Sequence, residues 1–457
     1  MTQARREAAL ARQRVPAPLL KRRLPSGRGA MEQPNVTGDG DVALTPAFWA
    51  ALILTGVATG LFGDLMMVFL FNTAHIAFSY HLGSFQSAVE RVSGIHRVAA
   101  LAIGGAIGGV LWYLTRKFTK GEKSEIDDVL WAGDGRLSFR RSLATSVISE
   151  IAIGTGASIG REAAPKLMGG ASGSVLAGWF KLTPGQRRLL VACGGGAGLA
   201  AVYNVPLGGA LFTAEIMIGS MTLPVVLPAI VCSYVATTTA WLYLPEHSTY
   251  VGIPTYHLTD PLFVWSILAG PVIGMFAAGY IRLIGVISHH RASGRITLVT
   301  PLIAFTILGV IGIRYPQLFG NGKDMAHFIF LGGGGLLLLG ALAILKPLVT
   351  TMCLSSGASG GLFTPVLSTG AALGGVLGLA WSMLWPGSPV GAYAMVGAAA
   401  MIGSGMQAPL SALALVLELT HSGFQIMVPM MAATTIATWV VRYVDGYSIY
   451  SARLQGE

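Results

Sequence analysis

Membrane-length apolar sequence is broken twice in this chain by glycine clusters that lead to a proline, and that pattern leaves few folds open. The first break reads Gly154-Thr-Gly-Ala-Ser-Ile-Gly-Arg-Glu-Ala-Ala-Pro-Lys-Leu-Met-Gly-Gly170, and the second Ser355-Ser-Gly-Ala-Ser-Gly-Gly-Leu-Phe-Thr-Pro365. Proline is tolerated in the first turn of a helix, where its missing N–H would be unbonded anyway, so a helical run is expected to open at Pro165. Each break reads as the N-terminus of an interrupted membrane helix. Such an end presents free backbone N–H groups and a positive dipole, which together attract anions. Two of them in corresponding halves point to a binding site at the bilayer midplane between structural repeats.

Composition excludes a soluble protein: 53% of the 457 residues are hydrophobic, 11% are charged, and there are 61 glycines. A span needs about 20 apolar residues, and the segments lack the period-two alternation of a β-barrel. The expected fold class is an all-α integral membrane protein. The formal charge of +10 is concentrated in residues 1–30, where Arg5, Arg6, Arg12, Arg14, Lys21, Arg22, Arg23 and Arg28 stand against Glu7 alone; the tail is taken as residues 1–43. This reads as a disordered cytoplasmic tail that follows the positive-inside bias. No aromatic interleaving supports nucleic-acid binding, no signal peptide is expected because no apolar region closely follows the charges, and Met31 is an alternative start. Cys193, Cys232 and Cys353 lie far apart in apolar segments, without metal-ligand spacing. No metal and no cofactor are expected. A membrane enzyme would need a nucleophile–base pair or a histidine ligand set, and neither is found.

Hydropathy places spans at 44–78 (with Thr45-Pro46 as cap and first helical residue), 97–117, 222–244, 261–288 and 297–314, followed by an apolar segment at 328–353, with 79–96 as a loop or helix end and 315–323 as a loop. Shorter pieces at 142–163, 166–181, 189–203, 206–221, 362–384, 390–405, 408–420 and 425–443 recur in both halves. The membrane domain is therefore read as 44–453, with repeats at 44–244 and 261–443, and 454–457 as a short end. The residue-level similarity between the halves is weak. The most polar internal stretch, 118–141, is an aqueous loop or holds a short helix capped by Ser124.

Four segments in order resemble the CLC family of chloride channels and chloride/proton antiporters. Gly160-Arg161-Glu162 resembles the start of its G-R-E-G-P motif, and Ala200-Ala-Val-Tyr-Asn204-Val-Pro206-Leu-Gly-Gly its A-A-x-F-N-x-P-L-x-G segment. Gly361-Leu362-Phe363-Thr364-Pro365 resembles G-x-F-x-P, and Tyr450 the pore tyrosine. The resemblance covers roughly 44–453 and implies inverted repeats of about eighteen helices, many broken. It also implies a homodimer in the bacterial inner membrane, with an interface on segments 224–243 and 409–441 and a pore in each subunit. Glu162 would be the gate; Gly160, Arg161, Gly361, Leu362, Phe363 and Tyr450 would surround a chloride or similar anion. Because the chain ends just after Tyr450, the cytoplasmic nucleotide-binding domains of some relatives are expected to be absent.

The departures carry as much weight. The proline of the first motif comes one residue late, at Pro165. Gly121 stands where the family's central serine is expected, so that hydroxyl is missing and bicarbonate, nitrate or fluoride stay open as cargo. Antiporters carry a proton-relay glutamate where this chain has Ile216, beside Glu215. This favours uncoupled, voltage-gated conduction over antiport. A Glu162–Arg161 ion pair would be poor, since adjacent helical residues do not face each other. Glu418 reads as a structural acid, and Glu215 as a vestibule residue or structural support. Lys120 and Lys123 read as a cationic rim that raises local anion concentration.

Overall fold

The computed structural model describes residues 42–122, 125–131 and 133–453. The basic tail, Lys123, Ser124 with its expected cap, and residues 454–457 lie outside the described residues. Among those described there are seventeen α-helices and no strand. In the first half these are α1 (Pro46–Phe78), α2 (Phe85–Arg91), α3 (Gly94–Phe118), α4 (Ile126–Trp131), α5 (Phe139–Gly154), α6 (Ala163–Trp179), α7 (Pro184–Tyr203), α8 (Pro206–Phe212) and α9 (Leu223–Ala240). The second half holds α10 (Asp260–His289), α11 (Thr300–Arg314), α12 (Lys323–Phe330), α13 (Leu336–Ser355), α14 (Phe363–Ser382), α15 (Val390–Met406), α16 (Pro409–Thr420) and α17 (Met427–Val444). Seven helices are long and apolar enough to cross a membrane, so the protein is a multi-pass integral membrane protein. Among the remaining pieces, α2, α4, α8, α12 and α16 are too short to span alone.

Local chemistry sets the helix starts. The Thr45 hydroxyl accepts from the Phe48 N–H at 3.2 Å, with Pro46 opening α1. Thr183 and Gln186 form a reciprocal capping box ahead of Pro184. The structure sharpens several of the expected bounds. Residues 79–96 hold α2, capped by Ser84. The apolar segment read at 328–353 is interrupted between Phe330 and Leu336, because Gly332 and Gly334 adopt φ of 89° and 94° and turn the chain out of the helix. The helix after the first break begins at Ala163, so Pro165 lies inside its first turn, where no N–H is required.

The halves repeat at positions where backbone geometry leaves little choice. Gly169 on α6 and Gly194 on α7 touch so closely that a Cβ on either would lie 2.0 or 2.2 Å from the other's carbonyl oxygen. Gly370 on α14 and Gly397 on α15 do the same at 2.7 and 2.5 Å, Gly370 against the Gly397 oxygen and Gly397 against the Gly370 oxygen. Asn204 (φ 56°) ends α7 and Gln407 (φ 57°) ends α15, each two residues before the proline that opens the next short helix.

Those two short helices cap each other. Glu215 lies in the π-helical Thr213–Ile218 that continues α8. Its carboxylate accepts from the Leu410 N–H at 3.3 Å and from the Ser411 N–H and hydroxyl, both at 2.7 Å. Glu418 on α16 accepts from the Leu207 and Gly208 N–H groups at 3.0 and 2.6 Å. Each acid satisfies the open first turn of the other's helix. This exchange of equivalent contacts is the mark of a two-fold relation, here between the two repeats of one chain. Replacing either Glu215 or Glu418 with Ala is expected to cost about 1–2 kcal/mol, the usual loss of a helix cap. Matched denaturation curves for the two variants would check both the size and the equivalence.

Candidate functional site

The two sequence breaks meet. Gly160 and Gly361 exchange backbone hydrogen bonds at 2.8 Å each, an isolated antiparallel bridge that aligns the starts of α6 and α14. Glu162 folds back onto this bridge. A Cβ at Gly160 or Gly361 would lie 2.2 or 2.0 Å from Glu162 Oε1, so only glycine admits the carboxylate. Glu162 is 4% exposed. Its Oε1 accepts from the Phe363 N–H at 2.8 Å, while Oε2 accepts from the hydroxyls of Tyr203 and Thr364, each at 3.2 Å. The two hydroxyls lie 2.5 Å apart, and Asn321 Nδ2 donates to Tyr203 at 3.4 Å. A negative group thus rests on the N-terminus of α14, where free N–H groups and the helix dipole favour anions. The donors that hold the carboxylate are of the kind that suits a small anion.

Arg161 does not pair with Glu162. Its guanidinium stacks over the Tyr203 ring at 4.7 Å and donates to the Val202 carbonyl at 3.4 Å. It braces Tyr203 and is turned away from the carboxylate.

Below Glu162 lies a cavity of about 70 Å³ whose lining includes Glu162, Lys166, Gly361, Leu362, Arg291 and Tyr450. Tyr450 is 5% exposed, and its hydroxyl has no hydrogen-bond partner among the described residues. Glu125 and Arg453 also line the cavity, and Arg291 Nη1 lies 3.7 Å from Glu125. Arg291 Nη2 holds the loop before the second break by donating to the Gly357 and Ala358 carbonyls and the Ser359 hydroxyl, at 2.9–3.1 Å.

Several expected vestibule residues lie elsewhere. Lys120 is exposed and Gly121 has open space around it; neither lines the cavity. The lining cations are Lys166, Arg291 and Arg453 instead. Glu215 is withdrawn from any vestibule by its bonds to α16. Lys166 was readable in advance, because it stands one helical turn after Glu162 and so shares its face.

A family model described as "Voltage gated chloride channel" matches residues 104–442. The chain belongs to the voltage-gated chloride channel (CLC) family. A ClcB-like chloride channel protein of Ralstonia nicotianae is 32% identical to this CLC protein over 374 residues, covering 78% of this chain and 85% of the relative. An H(+)/Cl(-) exchange transporter, ClcA, of Vibrio campbellii is 27% identical over 371 residues, 78% and 79% of the two chains. Among solved structures, a slow cyanobacterial Cl-/H+ antiporter superposes with a TM-score of 0.75 at 23% identity, over 89% of this chain and 97% of that one. A CLC-type fluoride/proton antiporter gives a TM-score of 0.71 at 21% identity, with the same coverage. This CLC chain therefore has the inverted-repeat fold, with its two helix breaks meeting at Glu162.

Proposed function

We propose that this protein moves chloride across the membrane as an uncoupled, voltage-gated conductor, with Glu162 as the gate and Leu362, Phe363 and Tyr450 along the anion path. One observation carries the reading: a carboxylate seated on the Phe363 N–H at 2.8 Å, in a position that suits an anion. A protonated Glu162 no longer competes as an anion and leaves, which opens the path. Absence of coupling is supported by Ile216, which is apolar and 3% exposed, and by Glu215, whose carboxylate is committed to α16. Transport, rather than catalysis, is the activity.

A homodimer in the bacterial inner membrane, with a cytoplasmic N-terminus, is part of the same proposal. It is supported by exposed apolar residues on the expected faces, such as Leu227, Ile230, Leu410, Met431 and Trp439.

A second reading, chloride/proton exchange, is favoured by Glu150. This acid is fully buried on α5, both its oxygens lack partners among the described residues, and the charges acting on it are Arg161 and Glu162. It lies one turn from Ser146, which lines the cavity.

Proteoliposomes with an imposed chloride gradient and a pH probe decide between them. Chloride efflux without uphill proton movement is the expected result. Uphill proton movement that is lost in both Glu162→Gln and Glu150→Gln would establish exchange. Efflux compared among chloride, bicarbonate, nitrate and fluoride ranks the cargo.

A further inference from the structure

Lys166 has no part in the resemblance to the family motifs, yet it enters the cavity beside Tyr450. Its Nζ lies 4.6 Å from the centre of the Tyr450 ring and 5.3 Å from that of Phe212. Its nearest acidic oxygen is Asp127 Oδ1 at 3.8 Å, longer than a hydrogen bond, and its side chain is only 13% exposed. A mostly buried ammonium with unfilled donors thus faces the same small cavity as an unpartnered tyrosine hydroxyl. Buried polar groups of this kind are normally satisfied. Here the donors converge without an acceptor in hydrogen-bond reach among the described residues.

We infer that Lys166 is the second donor of an inner anion site shared with Tyr450, and that Asp127 competes with the anion for its ammonium. The ligand class is a small inorganic monoanion. An ammonium is a compact point charge with rotatable donors, so it follows a moving ion where a backbone donor cannot. Asp127 holds the ammonium at a distance when no anion is bound and reclaims it when the ion departs. That keeps binding weak enough for release, as conduction requires. The inference rests on the anion-path reading above, and its test separates the two.

Chloride binding to the purified full chain in detergent, measured by calorimetry, provides that test. Lys166→Gln is expected to weaken chloride binding about tenfold or more, the effect of losing one charge-assisted hydrogen bond. Lys166→Arg, which keeps charge and donors, is expected to restore most of it. Asp127→Asn is expected to tighten binding, a change of sign that damaged packing does not produce. Unchanged affinity in Lys166→Gln, or weaker binding in Asp127→Asn, would overturn the inference. No chloride binding by the wild-type chain would instead remove the anion site itself, and the inference with it.

Discussion

Replacing Glu162 with Gln is expected to leave anion flux high and nearly flat across pH, whereas the wild-type flux rises as pH falls. The sign follows from the geometry. The ionised carboxylate accepts from the Phe363 N–H and from two hydroxyls, and in the proposed function it holds the path closed as long as it stays charged. Protonation at low pH removes the charge, weakens the charge-assisted bond and lets a free anion take the position. A bond of that kind contributes about 1.5–3 kcal/mol, which corresponds to roughly tenfold or more in open fraction. The glutamine amide carries no charge at any pH, so the variant is fixed in the permissive state. Flux assays in liposomes at several pH values check this, and a Glu162→Gln protein that kept the wild-type pH profile would remove Glu162 from the gate.

The second large effect concerns Lys346, which is fully buried on α13. Its ammonium donates to the Ser158 hydroxyl at 2.8 Å and to the Leu318 and Gly320 carbonyls at 3.2 and 2.9 Å. The Gly320 N–H in turn donates to the Gly156 carbonyl at 2.9 Å. One side chain therefore fastens the first helix break to the 316–320 turn and to the second half. Lys346→Met conserves volume and strands several acceptors, which is expected to cost about 2–4 kcal/mol. A fall of several degrees in the melting temperature of the purified protein would confirm it. An unchanged melting curve would show that neighbouring donors replace the ammonium.

What could be read in advance follows from what lipid and backbone geometry constrain. The spans, the Thr45-Pro46 start and the two breaks were legible, because glycine clusters and prolines act on the backbone directly. The meeting of Gly160 with Gly361 was implied by their places in two halves, although no local signal gives the bond itself. The cations that line the cavity were not legible as a group. Lys120 is exposed and Lys123 lies outside the described residues, while the cavity is lined by Lys166, Arg291 and Arg453, drawn from distant segments. Lys346 left a usable sign, since a lone lysine in an apolar segment is costly and demands partners. Resemblance between the halves was obscured because apolar residues substitute for one another in helix packing. Gly169 and Gly370, Gly194 and Gly397, Pro206 and Pro409, Glu215 and Glu418 keep their places, where a contact tolerates no alternative.

The reciprocal caps also bear on how such a chain is made. Synthesis runs from the N-terminus, so Glu215 enters the bilayer before Leu410 and Ser411 exist, and the first turn of α8 waits for Glu418. Until the second half arrives, the first carries an unsatisfied carboxylate and open backbone donors in a medium that satisfies neither. A nascent chain arrested in the loop after α9 would thus be an unfinished object, exposed to chaperones and proteases, rather than a half-sized transporter. Co-production of the two halves as separate polypeptides would succeed only to the extent that they find each other within the membrane.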